Sequence, residues 1–260
     1  MAAVVVAGLA LAGAVTHPLA APVWARQRAR EPALRLESTA AAAGQGVTLA
    51  LLGGFRGLVA DAAWLRLYIL WETRDLPAVD TLVHLVPAID PRPAYFWLNG
   101  ARIVAYDFTA WRIAAAGGHA TLPETQQDRI GREQAGLALA HLAAAMRFHP
   151  LNPDLWTERA NIELNRLHDP AAAAESYRRA WELPHAPYYV ARLHAEMLRR
   201  MGRKAEALAW LVALHPRLPA NDESAAADVV LGRIRDLERE LGVDPARRYD
   251  PVAGAGVRRK

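Results

Sequence analysis

The chain contains no cysteine, and its only lysines are Lys204 and Lys260. The absence of cysteine excludes disulfide bonds, thiolate metal sites and cysteine nucleophiles. The formal net charge of +4 therefore comes almost entirely from arginine. A modest excess of arginine is only a weak indication of acidic partners or anionic lipid.

The sequence also lacks the short motifs of common catalytic and metal sites. None of its nine histidines occurs as His-x-x-x-His or His-Glu-x-x-His. It has neither a phosphate-binding Gly-x-x-x-x-Gly-Lys loop nor a Gly-x-Ser-x-Gly elbow. We therefore expect no catalysis, no metal, no cofactor and no small-molecule substrate. Nucleic-acid binding would depend on arginine content alone, and we expect none.

Acidic and basic side chains are missing from Ala2–Ala25, apart from His17. About twenty apolar residues in a helix span a hydrocarbon layer of about 30 Å. We predict a transmembrane anchor over residues 1–25. Two alternatives stay open, a cleavable signal peptide ending near Val23-Trp24-Ala25 and a buried globular helix.

A repeat of about 34 residues extends from Gly136 to Pro219. This period, with small residues at fixed points and a closing proline, is typical of tetratricopeptide-type helical hairpins. We therefore predict an all-α fold, a TPR-like αα-superhelix with an N-terminal transmembrane helix. The equivalent positions are Ala138, Leu142, Ala145 and Pro150; Ala173, Tyr177 and Ala180; and Ala207, Leu211, Leu214 and Pro219.

Proline, glycine and charge patterns predict the boundaries of the parts. Asn152-Pro153 and Asp169-Pro170 are helix-start signals. Gly117-Gly118 interrupts the helical pattern and predicts a loop, which can include a short helix at Trp111–Ala116. The final helix has an apolar edge at Val229, Leu237 and Leu241. The predicted parts are an anchor or signal-anchor at 1–25, a linker at 26–50, a repeat domain at 51–219 with an insertion at 107–127, a capping helix at 220–242, and a disordered basic tail at 243–260.

The first helix of the repeat domain is predicted to run from Leu58 to Trp71. Leu58, Ala62, Leu65 and Ile69 form an apolar stripe at helical spacing. Trp64, Tyr68 and Trp71 form an aromatic stripe beside it, and the two stripes together predict burial of the helix on a wide arc. Asp61 then lies in an apolar setting, where an unpaired carboxylate is costly. We expect Arg56 or Arg66 to pair with it.

One pattern around this helix is shared with a known family. The sequence reads Gly54-Phe55-x-Gly57-x-x-Ala60-Asp61-x-x-Trp64-x-Arg66 between the apolar N-terminal segment and the degenerate repeats. With Asn152-Pro153-Asp154-Leu155-Trp156, it resembles a family of bacterial membrane-anchored tetratricopeptide-repeat proteins of no settled biochemical role. The resemblance covers most of residues 50–217. It implies a scaffold in which Phe55, Gly57, Asp61, Trp64 and Arg66 are structural.

The resemblance also implies a location. It indicates a single-pass protein of the bacterial inner (cytoplasmic) membrane, with the repeat domain on the extracytoplasmic side. Arg26, Arg28, Arg30 and Arg35 follow the apolar run, and no basic residue precedes it. The positive-inside rule then favours the cytoplasm for the repeat domain. The side of the membrane stays open.

The inner face of the predicted superhelix carries the functional candidates. We align the first helices of the hairpins on Trp97, Trp156 and Ala191. Asparagine and arginine on such a face can bind an extended peptide and its carboxylates, although they can also be solvated helix surface. The predicted partner-binding groove consists of Asn99, Arg102, Tyr106, Asn161, Asn165, Arg192, Glu196 and Arg199.

These observations predict a membrane-tethered scaffold. It would bind an unidentified protein or peptide partner, contact the membrane through its N-terminal helix, and mediate assembly of an envelope complex. The alternative is an integral structural subunit of a larger membrane protein complex. Such a subunit should be unstable alone and should co-purify stoichiometrically.

Overall fold

The structure, a computed structural model, describes residues 54, 56–219 and 221–251. The predicted anchor at 1–25, the linker at 26–50 and Phe55 lie outside the described residues. Within them the chain forms nine helices and no strand, which confirms the all-α prediction. None of these helices combines the length and the apolarity that a membrane crossing requires.

The helices pack mainly against their neighbours along the chain. Helix α3 is continuous but has three parts, because five of its residues, Ile103–Asp107, form a π-helical turn. The first four helices are α1 (Arg56–Glu72), α2 (Leu76–Ile89), α3 (Ala94–Arg102, Ile103–Asp107 and Phe108–Ala115) and α4 (Glu124–Phe148). The other five are α5 (Pro153–Asn165), α6 (Pro170–Glu182), α7 (Tyr188–Arg200), α8 (Lys204–Leu214) and α9 (Ala227–Glu240).

Side-chain caps start several of these helices at the predicted residues. The side chain of Asn152 accepts a hydrogen bond from the backbone N–H of Asp154 at 2.9 Å. Asp169 caps α6 by accepting from the N–H groups of Ala171 and Ala172. Each cap satisfies backbone donors that the helix cannot pair, and proline follows at the first helical position.

The repeat positions form the contact surface between neighbouring helices. Apart from the closing prolines, every repeat position of α4, α6 and α8 is buried, from Ala138, Leu142 and Ala145 of α4 to the corresponding residues of the other two helices. Alanine allows two helices to approach closely, and a large residue from the next helix fills the space. The 34-residue period of the sequence thus coincides with the period of burial.

Residues 107–115 of the predicted insertion at 107–127 are helical. The short helix predicted at Trp111–Ala116 is therefore present, as a continuation of α3. Helix α3 continues to Ala115, and only residues 116–123 are a loop. Phe108 and Ile113 are buried, and the Thr109 hydroxyl donates to the carbonyl of Ala105, so apolar packing and backbone bonds continue through the π-helical turn. The π turn adds a residue to the helical repeat and shifts its phase. This shift explains why the sequence pattern breaks there.

Helix α1 buries a narrower arc than predicted, because Trp64 of the aromatic stripe is buried and the other stripe is exposed. Ala60, Trp64 and Leu67 are buried, whereas Leu58, Leu65 and Ile69 are 67%, 65% and 54% exposed. Its apolar residues extend around most of the helix, so spacing alone could not identify the packed side.

The predicted ion pair at Asp61 is also wrong. Asp61 and Arg66 are exposed. The carboxylate that is buried near the start of α1 is that of Asp90, whose Oδ1 lies 3.8 Å from Nε of Arg56 and accepts a 2.8 Å hydrogen bond from Nε of Arg92. A Cβ at Gly57 would lie 3.5 Å from Oδ2 of Asp90. The start of α1 is therefore attached to the segment that follows α2.

The C-terminal end of the described chain is ordered further than predicted. Helix α9 begins at Ala227, after a 3₁₀ turn at Glu223–Ala225 that Asp222 caps. The predicted disordered tail began at 243, yet a 3₁₀ turn covers Pro245–Arg247 and Tyr249 packs on the core. The backbone N–H of Tyr249 donates to Glu238 at 2.5 Å. A buried acceptor thus holds residues 243–251, and residues 252–260 lie outside the described part.

Candidate functional site

Three helices that the repeat places side by side line one cavity, which we call the inner cavity. It has a volume of about 560 Å³ and is lined by α3, the start of α5 and Tyr189 of α7. Three of the predicted groove residues, Asn99, Arg102 and Asn161, lie in its wall. The remaining polar wall residues are Asn152, Asp154, Thr157 and Glu158.

Glu158 is the centre of the hydrogen bonds in this wall. The residue is 3% exposed. Its Oε2 accepts a 2.8 Å hydrogen bond from Nε of Arg102 and lies 2.8 Å from Nη2 of the same guanidinium. Nδ2 of Asn161 lies 3.5 Å from the same oxygen. A buried carboxylate is tolerated only when it is paired in this way. The pair joins α3 to α5 and fixes the guanidinium of Arg102 at the cavity wall.

Asn161 is held from its other side by α6. The hydroxyl of Tyr177 donates to Oδ1 of Asn161 at 2.7 Å. Burial raises the pKa of Tyr177 to about 12, so its hydroxyl keeps the donated proton at any physiological pH. The oxygen of the Asn161 amide is therefore directed towards Tyr177, and its NH₂ group towards Glu158 and the cavity.

Tyr106 and Asn165 lie beside the inner cavity and do not line it. The guanidinium carbon of Arg166 lies 4.6 Å from the centre of the Tyr106 ring. Burial raises the pKa of Tyr106, and the nearby charge of Glu158 adds to that effect, while a hydrogen bond with Asn165 lowers the pKa. These two predicted residues contact one another and extend the polar surface by one helical turn.

The last three predicted residues line a second cavity, between α7, α8 and α9, which we call the α9 cavity. Its volume is about 290 Å³. Arg199 donates two hydrogen bonds to Glu196, at 2.8 and 2.7 Å, and lowers the pKa of that carboxyl to about 2. Arg192 donates to the backbone carbonyl of Ala225 at 2.8 Å. Arg192 is thus partly structural, because it holds the segment that precedes α9.

The structure adds residues to the site that sequence reasoning missed. Glu158 follows Trp156 by two residues, just as Asn99 follows Trp97, so the repeat alignment itself could have found it. Tyr189 is 42% exposed and lines both cavities. Val229 and Arg233 of α9 also line the α9 cavity, and only the packing of α9 could reveal them.

The inner cavity and the α9 cavity present hydrogen-bond donors, hydrogen-bond acceptors and apolar surface. Across residues 56–219 and 221–251, no group of three or more His, Asp or Glu side chains could hold a metal ion. Amides, a guanidinium and carboxylates on a helix surface can pair with the backbone and side chains of an extended polypeptide. The chain matches no protein-family model and no curated protein.

Proposed function

We propose that this chain is a TPR-like scaffold, tethered to a bacterial inner membrane by its N-terminal apolar segment, which binds a segment of a partner protein. The proposed binding surface includes the inner cavity and the α9 cavity, joined at Tyr189. Assembly of an envelope complex would follow from holding that partner at the membrane. The repeat period, and the burial of its aligned positions, support the TPR-like assignment.

The strongest support for the proposal is the way in which two successive hairpins meet at Glu158. Residues at equivalent positions of successive hairpins, Arg102 of α3 and Asn161 of α5, meet at one buried carboxylate in the wall of a cavity open to a ligand. Helical-repeat proteins bind partners across extended surfaces built from equivalent positions. An isolated solvated helix face would not need a buried acid to fix its side chains.

The test should spare the residues that hold the helices together. Among the described residues, the side chain of Asn99 hydrogen-bonds only to the carbonyl of Tyr95 within its own helix. Tyr189 is exposed, so we choose the double variant Asn99→Ala, Tyr189→Ala. The full tagged chain is recovered from its own membranes after cross-linking. We expect at least one partner polypeptide to be recovered about tenfold less, because loss of contact residues in a binding site typically weakens binding by that order.

A matched control is available on α4. Gln126 and Leu137 are exposed and line neither cavity. The variant Gln126→Ala, Leu137→Ala should recover the partner in full. Equal recovery with both double variants would show that the inner cavity is not the binding surface.

A second candidate function, a structural subunit within a larger membrane complex, is favoured by α1. Leu58, Ala62, Leu65 and Ile69 form a continuous apolar stripe, and its three larger residues are more than half exposed. Contiguous exposed apolar surface often marks a permanent interface. Such an interface would explain why this face of α1 is apolar although the described part of the domain leaves it exposed.

We expect the variant Leu65→Glu, Ile69→Glu to abolish stoichiometric co-purification and to leave thermal unfolding within about 0.5 kcal/mol of wild type, since both side chains are exposed. Size-exclusion chromatography of the complex and circular dichroism measure the two effects. Asp61→Gln, Arg66→Gln changes polar residues of the same helix and serves as the control. A complex of unchanged composition with the first variant would eliminate the subunit function.

A further inference from the structure

The α9 cavity has an apolar interior. Leu193 of α7, Leu211 of α8, and Val230 and Leu237 of α9 form its walls, and Val229 stands at its edge with 65% of its surface exposed. The volume of about 290 Å³ lies at the lower end of small-molecule sites. It suits one large apolar side chain better than a cofactor.

The edge of this cavity is basic. Arg192, Arg199 and Arg233 line it, against a single acid, Glu196. Glu196 is already paired with Arg199 and also accepts from Arg200 at 3.0 Å. Arg233 is exposed and has no ion pair or hydrogen bond to any residue that the structure describes. The cavity therefore offers a cation whose charge is not compensated nearby.

The inner cavity has the opposite character. Its charged wall residues are Arg102, Asp154 and Glu158, which leave one negative charge, and its other polar groups are mainly asparagine amides. Tyr189 lies in the wall of both cavities. A segment bound across Tyr189 would therefore meet amides and a slight negative charge at one end, and apolar surface surrounded by arginine at the other.

We propose that the α9 cavity binds a large apolar side chain of the partner segment, with an adjacent Asp or Glu paired to Arg233. This assignment rests on the proposed function and adds the chemistry of the bound segment. The apolar side chain is removed from water by the cavity walls, and the acid meets the unpaired guanidinium at the edge. Charge complementarity selects an acidic segment over a basic one.

Selection from a random peptide library tests the proposal on the full chain in detergent. We expect the enriched peptides to carry Asp or Glu beside Leu, Ile, Phe or Trp. A fluorescein-labelled copy of the best peptide is then titrated by fluorescence anisotropy. Arg233→Glu should weaken its binding at least about tenfold, because attraction becomes repulsion.

The matched control is Arg239→Glu, which makes the same change of charge on α9 away from the cavity. The affinity of this variant for the peptide should stay within about twofold of the wild-type affinity, because salt screens charges that lie far from the binding site. A peptide in which the acid is replaced by lysine should bind Arg233→Glu better than it binds wild type. This reversal would not occur if Arg233→Glu merely damaged the fold.

The outcomes separate this inference from the function on which it rests. If selected peptides lose binding with Asn99→Ala, Tyr189→Ala but not with Arg233→Glu, the α9 cavity assignment is wrong and the peptide-binding function stands. If no peptide is enriched, or if neither variant changes the affinity for the selected peptides, the proposed function and the α9 cavity assignment are both wrong. Loss of binding with Arg233→Glu, together with the charge reversal, supports both.

Discussion

Tyr177→Ala is expected to lower the free energy of unfolding by about 3–5 kcal/mol, the usual cost of deleting a large buried ring. Tyr177 is 2% exposed, which makes it one of the largest fully buried side chains of the described chain. It packs in one cluster with Ala160 of α5, Ala173 of α6 and Val190 of α7. These alanines and valine cannot move far enough to refill the space, because short side chains leave their helices in close contact. Urea unfolding followed by circular dichroism measures the change.

Tyr177→Phe separates packing from hydrogen bonding. It keeps the ring and removes only the bond to Oδ1 of Asn161, so we expect a cost of about 1 kcal/mol. Tyr189→Ala, at an exposed tyrosine, should cost less than about 1 kcal/mol. If alanine and phenylalanine at Tyr177 cost the same, the ring does not hold α5, α6 and α7 together.

Tyr177 also shows why the fold could be predicted. It stands at the same repeat position as Leu142 and Leu211, and all three are buried. A period near 34 requires the same packing at each step, so a local pattern reports a tertiary contact. The pattern loses its phase after the π-helical turn of Ile103–Asp107. There the same reasoning predicted a loop with a short helix, whereas α3 continues without a break to Ala115.

Helix α1 marks the limit of this reasoning. Amphipathic spacing identifies the buried face only when the opposite face is polar. The stripe of Leu58, Leu65 and Ile69 and the stripe that contains Trp64 both had the spacing of a core face. Of these residues only Trp64 lies in the core, together with Leu67. The choice between these faces depends on Tyr95 and Phe96 of α3, whose rings contact Trp64 at 5.7 and 5.2 Å between centroids. No local pattern encodes that contact.

The sequence predicted residues on the surface of the candidate site, but it did not predict the buried residues that hold them. Asn99, Arg102 and Asn161 follow from repeat alignment and do line one cavity. Glu158 contacts Arg102 across 56 residues of sequence, and Asp90 rather than Asp61 contacts Arg56. The arginine partner of a buried carboxylate is determined by tertiary contacts, and the chain contains many arginines. Spacing within one helix could not select among them.

His141 of α4 is buried between aromatic and apolar groups, and this burial makes stability depend on pH. Its ring centroid lies 4.9 Å from that of Trp97 and 5.6 Å from that of His84. A Cβ at Gly100 would lie 2.9 Å from its Nε2, so only glycine fits there without displacing the ring. Burial, with a smaller effect of His84, lowers the pKa of His141 from 6.5 to about 4.

We therefore expect stability to fall as the pH is lowered from about 6.5 to about 4. Above pH 6.5 the imidazole is neutral in both the folded and the unfolded chain, and its contribution is fully present. Between the two pKa values the unfolded chain binds a proton that the folded chain excludes. At about 1.4 kcal/mol for each pKa unit, the loss reaches about 3 kcal/mol. Urea unfolding at a series of pH values from 4 to 8 measures it.

His141→Leu should remove this dependence, because leucine is apolar, of similar size and does not titrate. Asp90, Glu196 and His194 titrate in both chains, so subtracting the two pH profiles isolates His141. The difference between the two free energies of unfolding should be constant above pH 6.5 and grow by about 3 kcal/mol towards pH 4.

His84→Gln is the matched control. It removes only the smaller cause, so the pKa of His141 should stay low and most of the slope should remain. Parallel profiles for wild type and His141→Leu would mean that His141 binds its proton at the same pH in the folded and the unfolded chain. Burial of His141 against Trp97 would then be wrong.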